Sequence, residues 1–271
     1  MQRKVLRASK VLGIVSVIFW FVLPPIAATA EDSGYQLSYR LERTSVGRGQ
    51  PVLLDVSIKN TSSRPVGIDL GGNGNENIVI SIINPDGRRI DRLPTDRRNR
   101  IVFFGGVHLG PQESYRGTLV LNQWFEFGEE GSYVINIGLK SAQAPATLHL
   151  EVKARDATQL ASFCSELLSR IQANTSAQDS LAAVQALSYV RDPVAVSAWG
   201  ELLRRPDLSM TAISNLADIG GYGATKVLIS RLGASDEGTR SSIRSALQSI
   251  ARNTPDEGIR REIGDALSEP K

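Results

Sequence analysis

The chain has one cysteine, two histidines and two methionines, and aromatic residues make up only 6% of it. A lone thiol, Cys164, excludes an internal disulfide, so the fold must rest on apolar cores. His108 and His149 fall on separate segments, which excludes a histidine-rich metal site. No sign of charge dominates either. Of 31 basic and 28 acidic residues, the surplus is carried by Arg3, Lys4, Arg7 and Lys10, and the rest of the chain is close to neutral. That balance argues against a general nucleic-acid binder. The sequence also lacks a G-x-S-x-G elbow, an H-E-x-x-H helix, a phosphate-cradling G-x-x-x-x-G-K-[ST] loop and a C-x-x-C pair, so it predicts no cofactor, no metal and no catalytic constellation.

What is present begins with a leader-like segment. Four basic residues precede an apolar run from Val11 to Leu23, and Ala28, Thr29 and Ala30 stand just before Glu31 and Asp32. This is the layout of a cleavable secretory signal over residues 1–30, cut after Ala30. The run is short of the about twenty apolar residues a membrane span requires, and Pro24 and Pro25 break it. The expectation is therefore a secreted or periplasmic protein with no stable membrane span after cleavage. Retention of the leader as an anchor is the alternative.

From Tyr35 onward the apolar pattern has period two. Tyr35, Leu37, Tyr39 and Leu41 alternate with polar residues, as do Val52, Leu54, Val56 and Ile58. Further runs at Val66 to Leu70, Ile78 to Ile83, Ile101 to Phe104, Thr118 to Leu121, Tyr133 to Leu139 and Thr147 to Val152 are separated by turn residues such as Asn84, Pro85, Asp86 and Gly87. Short strands at this spacing predict an all-β antiparallel sandwich for residues 31–155. Gly131, Ser132 and Tyr133, followed by Ile135, Ile137 and Leu139, resemble the penultimate strand of immunoglobulin-like domains. There a tyrosine at the strand start bonds back to the corner backbone.

Three features of this half are candidates for binding. Arg88, Arg89, Arg92, Arg97, Arg98 and Arg100 crowd one region, and arginine forks suit carboxylates, phosphates or sulfates. Asp86, Asp91 and Asp96 interleave with them, so a solvated, partly self-paired surface is the plainer reading. Trp124, Phe125 and Phe127 would stack on sugar rings if exposed, although core burial is the commoner fate of such residues. The Asp69 to Asn77 run offers oxygen ligands but lacks the register of a calcium loop, and it reads as a turn.

After Lys153 the period lengthens. Leu160, Phe163, Cys164, Leu167, Leu168 and Ile171 fall on one helical face, which makes Cys164 a small buried apolar group. The spacing predicts helices near 157–172, 177–190, 193–204, 208–219, 222–232, 238–252 and 256–268. Asp192 before Pro193, Thr254 before Pro255, and Asp207 are the expected caps, with Glu257 completing a capping box from Thr254. The triplet Val184, Leu187, Val190 returns as Ile213, Leu216, Ile219 and then as Arg244, Leu247, Ile250, a period of roughly thirty residues.

The phrases Ala186–Leu187, Asn215 to Gly220 and Ala246–Leu247, each leading into a second helix, resemble bacterial HEAT-type repeats over about residues 176 to 268. The resemblance implies an all-α helical-repeat solenoid for residues 156–271 and a scaffold that binds proteins. Some relatives carry bilin lyase names, but no group for that chemistry is found in this sequence. The expected class is thus multi-domain, with an Ig-like antiparallel sandwich followed by a HEAT-like solenoid. The expected function is an exported, non-catalytic protein–protein interaction protein. The alternative is a glycan or anionic-polymer binder of the cell envelope acting through the arginines and aromatics. A carboxylate-dependent hydrolase is the remoter reading.

Overall fold

The computed structural model describes residues 34–70, 77–93, 106–140, 145–173, 176–233 and 235–268. The leader predicted at 1–30, the strand predicted at 101–104, most of the glycine-rich loop, and Arg97, Arg98 and Arg100 lie outside the described residues.

Ten strands come first among the described residues: β1 (Tyr35–Leu41), β2 (Ser45–Gly47), β3 (Leu53–Asn60), β4 (Val66–Asp69), β5 (Ile78–Ile83), β6 (Arg89–Ile90), β7 (Gly106–Leu109), β8 (Ser114–Val120), β9 (Gly131–Leu139) and β10 (Ala146–Lys153). They form three small sheets, in the orders β1-β3-β8, β2-β10-β9-β5-β6 and β4-β7. Alternation explains their common core: Leu54 and Ile58 of β3 face Tyr133, Ile135 and Ile137 of β9 and Leu150 of β10 within one buried cluster. The Asn60 amide, fully buried, donates to the carbonyls of Arg64, Leu109 and Gly110 and ties the end of β3 to the segment after β7. Tyr133 makes the corner contact, donating its hydroxyl to the Glu129 carbonyl at 2.9 Å and accepting from the Glu129 N–H at 3.1 Å.

Seven α-helices follow in the described residues: α1 (Ala157–Ala173), α2 (Ala177–Ser188), α3 (Val196–Leu202), α4 (Ser209–Ile219), α5 (Gly221–Leu232), α6 (Glu237–Asn253) and α7 (Glu257–Ser268). A 3-10 turn, Pro193–Ala195, leads into α3. Gly220 and Gly221, at φ of 63° and 71°, supply the left-handed turn between α4 and α5. α4 packs on α6, while α5 packs on α3 and α7, so the later helices lie in two layers.

The expected class is corrected by this arrangement. Instead of an all-β antiparallel Ig-like sandwich followed by a separate all-α solenoid, the protein is mixed α/β. Its strands are divided among three small sheets, β2 runs parallel to β10, and helices pack directly on strands. The cause is visible in two places. Leu53 and Leu54 are both buried although they point to opposite faces of β3. Thr118, Leu119, Val120 and Leu121 are buried without a break. Where a strand is covered on both faces it has no water-facing side, and at the Leu53 and Val120 ends of β3 and β8 the second cover is helical. Leu53 and Val120 accordingly belong to the same core cluster as Leu160, Phe163 and Leu187.

Two caps also differ from expectation. Asp256, not Thr254, caps α7, its Oδ1 accepting from the N–H groups of Gly258 and Ile259 at 2.8 and 3.3 Å. Glu257 turns to Arg260 instead of completing a capping box. α4 begins without a side-chain cap, because Asp207 is held by the Arg205 guanidinium at 2.7 and 3.2 Å.

Candidate functional site

The hairpin Asn84 to Arg88 sets the position of the arginines. Its turn is closed by the Asn84 N–H on the Arg88 carbonyl at 2.8 Å and by the Gly87 N–H on the Asn84 carbonyl at 2.9 Å, with Gly87 at a φ of 79°. Arg88 pairs with Asp86 on the turn itself, as an exposed local ion pair. Arg89 begins β6 and Arg92 follows it. Both line a cavity of about 430 Å³ along β5, together with Ile78, Val79, Ile80 and Lys140. Asp91, Ile90 and Phe125 complete its wall, so basic side chains outnumber the single acid.

The Arg92 guanidinium carbon sits 5.2 Å from the Trp124 ring centroid. Partial burial there draws its pKa downward, yet an arginine stays charged at neutral pH. The Leu93 N–H donates to the Trp124 carbonyl at 2.8 Å and steers the chain away from β5. Val79 is 49% exposed, which leaves an apolar side chain at the rim of a basic cavity.

The aromatic cluster has another role. Trp124, Phe125 and Phe127 are 4%, 2% and 6% exposed, so they present no face on which a sugar ring could stack. Phe127 instead packs at 59° to Tyr133, with centroids 5.4 Å apart. Of the arginines singled out in the sequence, the cavity brings together Arg89 and Arg92 and leaves Arg88 on the turn. Lys140 and Val79 were missed. Lys140 joins the cavity because β9 pairs Leu139 with Ile78, a register that links positions far apart in the chain.

His149 and His108 are exposed on β10 and β7. Cys164 is buried in α1, and desolvation pushes its thiol pKa up to about 11. Among the described residues, no group of three or more His, Cys, Asp or Glu side chains is placed to hold a metal ion, and no helix is long and apolar enough to cross a membrane.

No family model matches the chain, and no curated protein matches it in sequence. Among solved structures, a β-glucosidase from Listeria innocua in complex with isofagomine aligns over 45% of this chain and 16% of its own, at 18% identity and a TM-score of 0.29. The chain therefore spans only a small part of that enzyme. The CARDB domain of a Pyrococcus furiosus protein in complex with di-metal ions aligns over 45% of this chain and 97% of its own, at 17% identity and a TM-score of 0.27. An alkylpurine DNA glycosylase from Pseudomonas fluorescens, bound to DNA containing an abasic site analogue, aligns over 45% and 31%, at 12% identity and a TM-score of 0.28. At such TM-scores these similarities bear on neither activity nor ligand.

Proposed function

We propose that the protein is an exported, non-catalytic interaction protein whose helical row, similar to HEAT-type repeats over residues 176 to 268, docks a protein partner. The observation that carries this reading is the packing of α3 to α7. Each helix rests mainly on its near neighbours in two layers, and helical pairs stacked in this way present an outer surface to partners. Met210 on α4 and Tyr222 on α5 are 57% and 59% exposed, with Lys226 lying 5.1 Å from the Tyr222 ring centroid, and both side chains are accessible to a partner. Export rests on the layout of residues 1–30.

The test is site-specific photocrosslinking in cells from Met210 and Tyr222. The reading expects one discrete protein adduct from an envelope fraction, competed away by unlabelled protein and weakened by Tyr222→Glu. Diffuse or absent adducts at both positions would remove it.

A further inference from the structure

We propose that the Ile78 to Ser81 stretch of β5 is a second binding site, an edge that takes an acidic, extended peptide from a partner protein as an added strand. This site stands apart from the helical row and survives or fails independently of it.

β5 is paired along its whole length with β9, from Ile78 against Leu139 to Ile83 against Val134. On its other side β6 pairs only with Ile82 and Ile83. Were the hairpin to continue in register, Asp91 would face Ser81 and Arg92 would face Ile80. The Leu93 N–H goes to Trp124 instead, so among the described residues no strand covers Ile78 to Ser81. The cavity lies along this uncovered stretch.

Antiparallel geometry gives the direction of the backbone groups. The Asn84 N–H donates to Arg88 across the hairpin, so the main-chain groups of Asn84, Ile82, Ile80 and Ile78 face the β6 side. Ile80 and Ile78 therefore aim their N–H and C=O groups into the cavity. An edge of this kind is a template for strand addition, in which main-chain hydrogen bonds supply affinity and alternate side chains supply selectivity.

The register also sorts the side chains. Arg89 lies opposite Ile83, and Lys140 follows Leu139 on β9, so both share the face of Val79. Ile78, Ile80 and Phe125 line the other side. A strand with carboxylates on the first face and small apolar groups on the second complements both. The chain's own segment between Leu93 and Gly106 is a poor match on charge, since it holds Arg97, Arg98 and Arg100 against Asp96 alone. Like charges would face Arg89 and Lys140.

The experiment measures fluorescence anisotropy of a labelled Glu-Val-Glu-Val-Glu-Val peptide titrated with the full chain at low salt. Saturable binding is expected, weakened at least about tenfold by the pair Arg89→Glu and Lys140→Glu. Far-UV circular dichroism checks that the variant is folded. Two further peptides, N-methylated either at the glutamates or at the valines, leave the protein untouched. One set should abolish binding and the other should not, because only alternate N–H groups face an edge. Absence of saturable binding overturns the proposal, whether the edge is taken by the chain itself or by nothing. Equal binding of all three peptides overturns it as well, because the attraction would then be charge without strand pairing.

Discussion

Arg170 of α1 reaches back to Glu42, just past β1, and its Nη1 donates to both carboxylate oxygens at 3.1 Å. One turn earlier on α1, Glu166 accepts from Arg43, whose guanidinium also lies 5.2 Å from the Phe163 ring centroid. Two neighbouring residues of the strand half are thus crossed with two residues of one helix. Side-chain exposures of 27% and 23% place the Arg170–Glu42 pair between surface and interior. A double-mutant cycle on Glu42→Ala and Arg170→Ala, read from urea unfolding, should give a coupling of about 0.5 to 1 kcal/mol that shrinks as salt is added.

Asp192 caps the turn that starts at Pro193 and is also gripped by Arg155, from Nε at 2.7 Å and from Nη2 at 3.1 Å. The Arg155 hydrogen bonds hold its carboxyl below the usual carboxylate range. A depressed folded pKa contributes stability above the unfolded value of about 3.9, and that stability is lost as pH falls through the folded value. Asp192→Asn should therefore be less stable than the parent at pH 7 and lose less between pH 5 and pH 3. Urea midpoints across that range will decide it.

Tyr39 and Tyr115 shift in the opposite direction. Burial raises both phenols to about 12, so each stays neutral in the fold while the unfolded phenol ionises near 10. Their contribution is complete below pH 10 and declines from there to about 12. The Tyr39 hydroxyl has no hydrogen-bond partner among the described residues. Tyr39→Phe is therefore expected to hold or gain stability at neutral pH and to reduce the alkaline loss, as followed by circular dichroism against pH.

Cys164 is 2% exposed, and desolvation is the first cause of its raised thiol pKa. The reactive species is the thiolate, so labelling by a thiol reagent at pH 8 should be slow in the folded protein and immediate in urea. Rapid labelling of the native chain would show that α1 opens. Cys164→Ala, which removes a packed sulfur, should cost about 1 kcal/mol.

Much of the secondary structure could be read directly from local pattern. The helix spans expected from apolar spacing lie within two residues of α1 to α7, provided the turn at Pro193 is counted with α3. β1 and β5 match their runs to the residue. These succeed because a side chain's periodicity is set by the element that carries it. The caps expected at Thr254 and Asp207 went elsewhere because Asp256 took one helix start and an arginine captured Asp207 at the other. β2, β6 and β7 escaped notice, being strands of two to four residues with no period to detect.

By itself the sequence determined where the helices and the longer strands lie, which side of each helix is apolar, and that no internal disulfide could hold them together. Tertiary structure alone decided that helices cover part of the second face of β3 and β8, that Trp124 lies beneath Arg92 in place of facing solvent, and that Lys140 and Arg89 line one cavity along β5. The physical reason is distance along the chain. Local propensity acts over a few residues, whereas the choice of which apolar face meets which depends on packing between segments far apart in the chain, as Leu53 is from Leu160 and Leu187, and no periodicity encodes that.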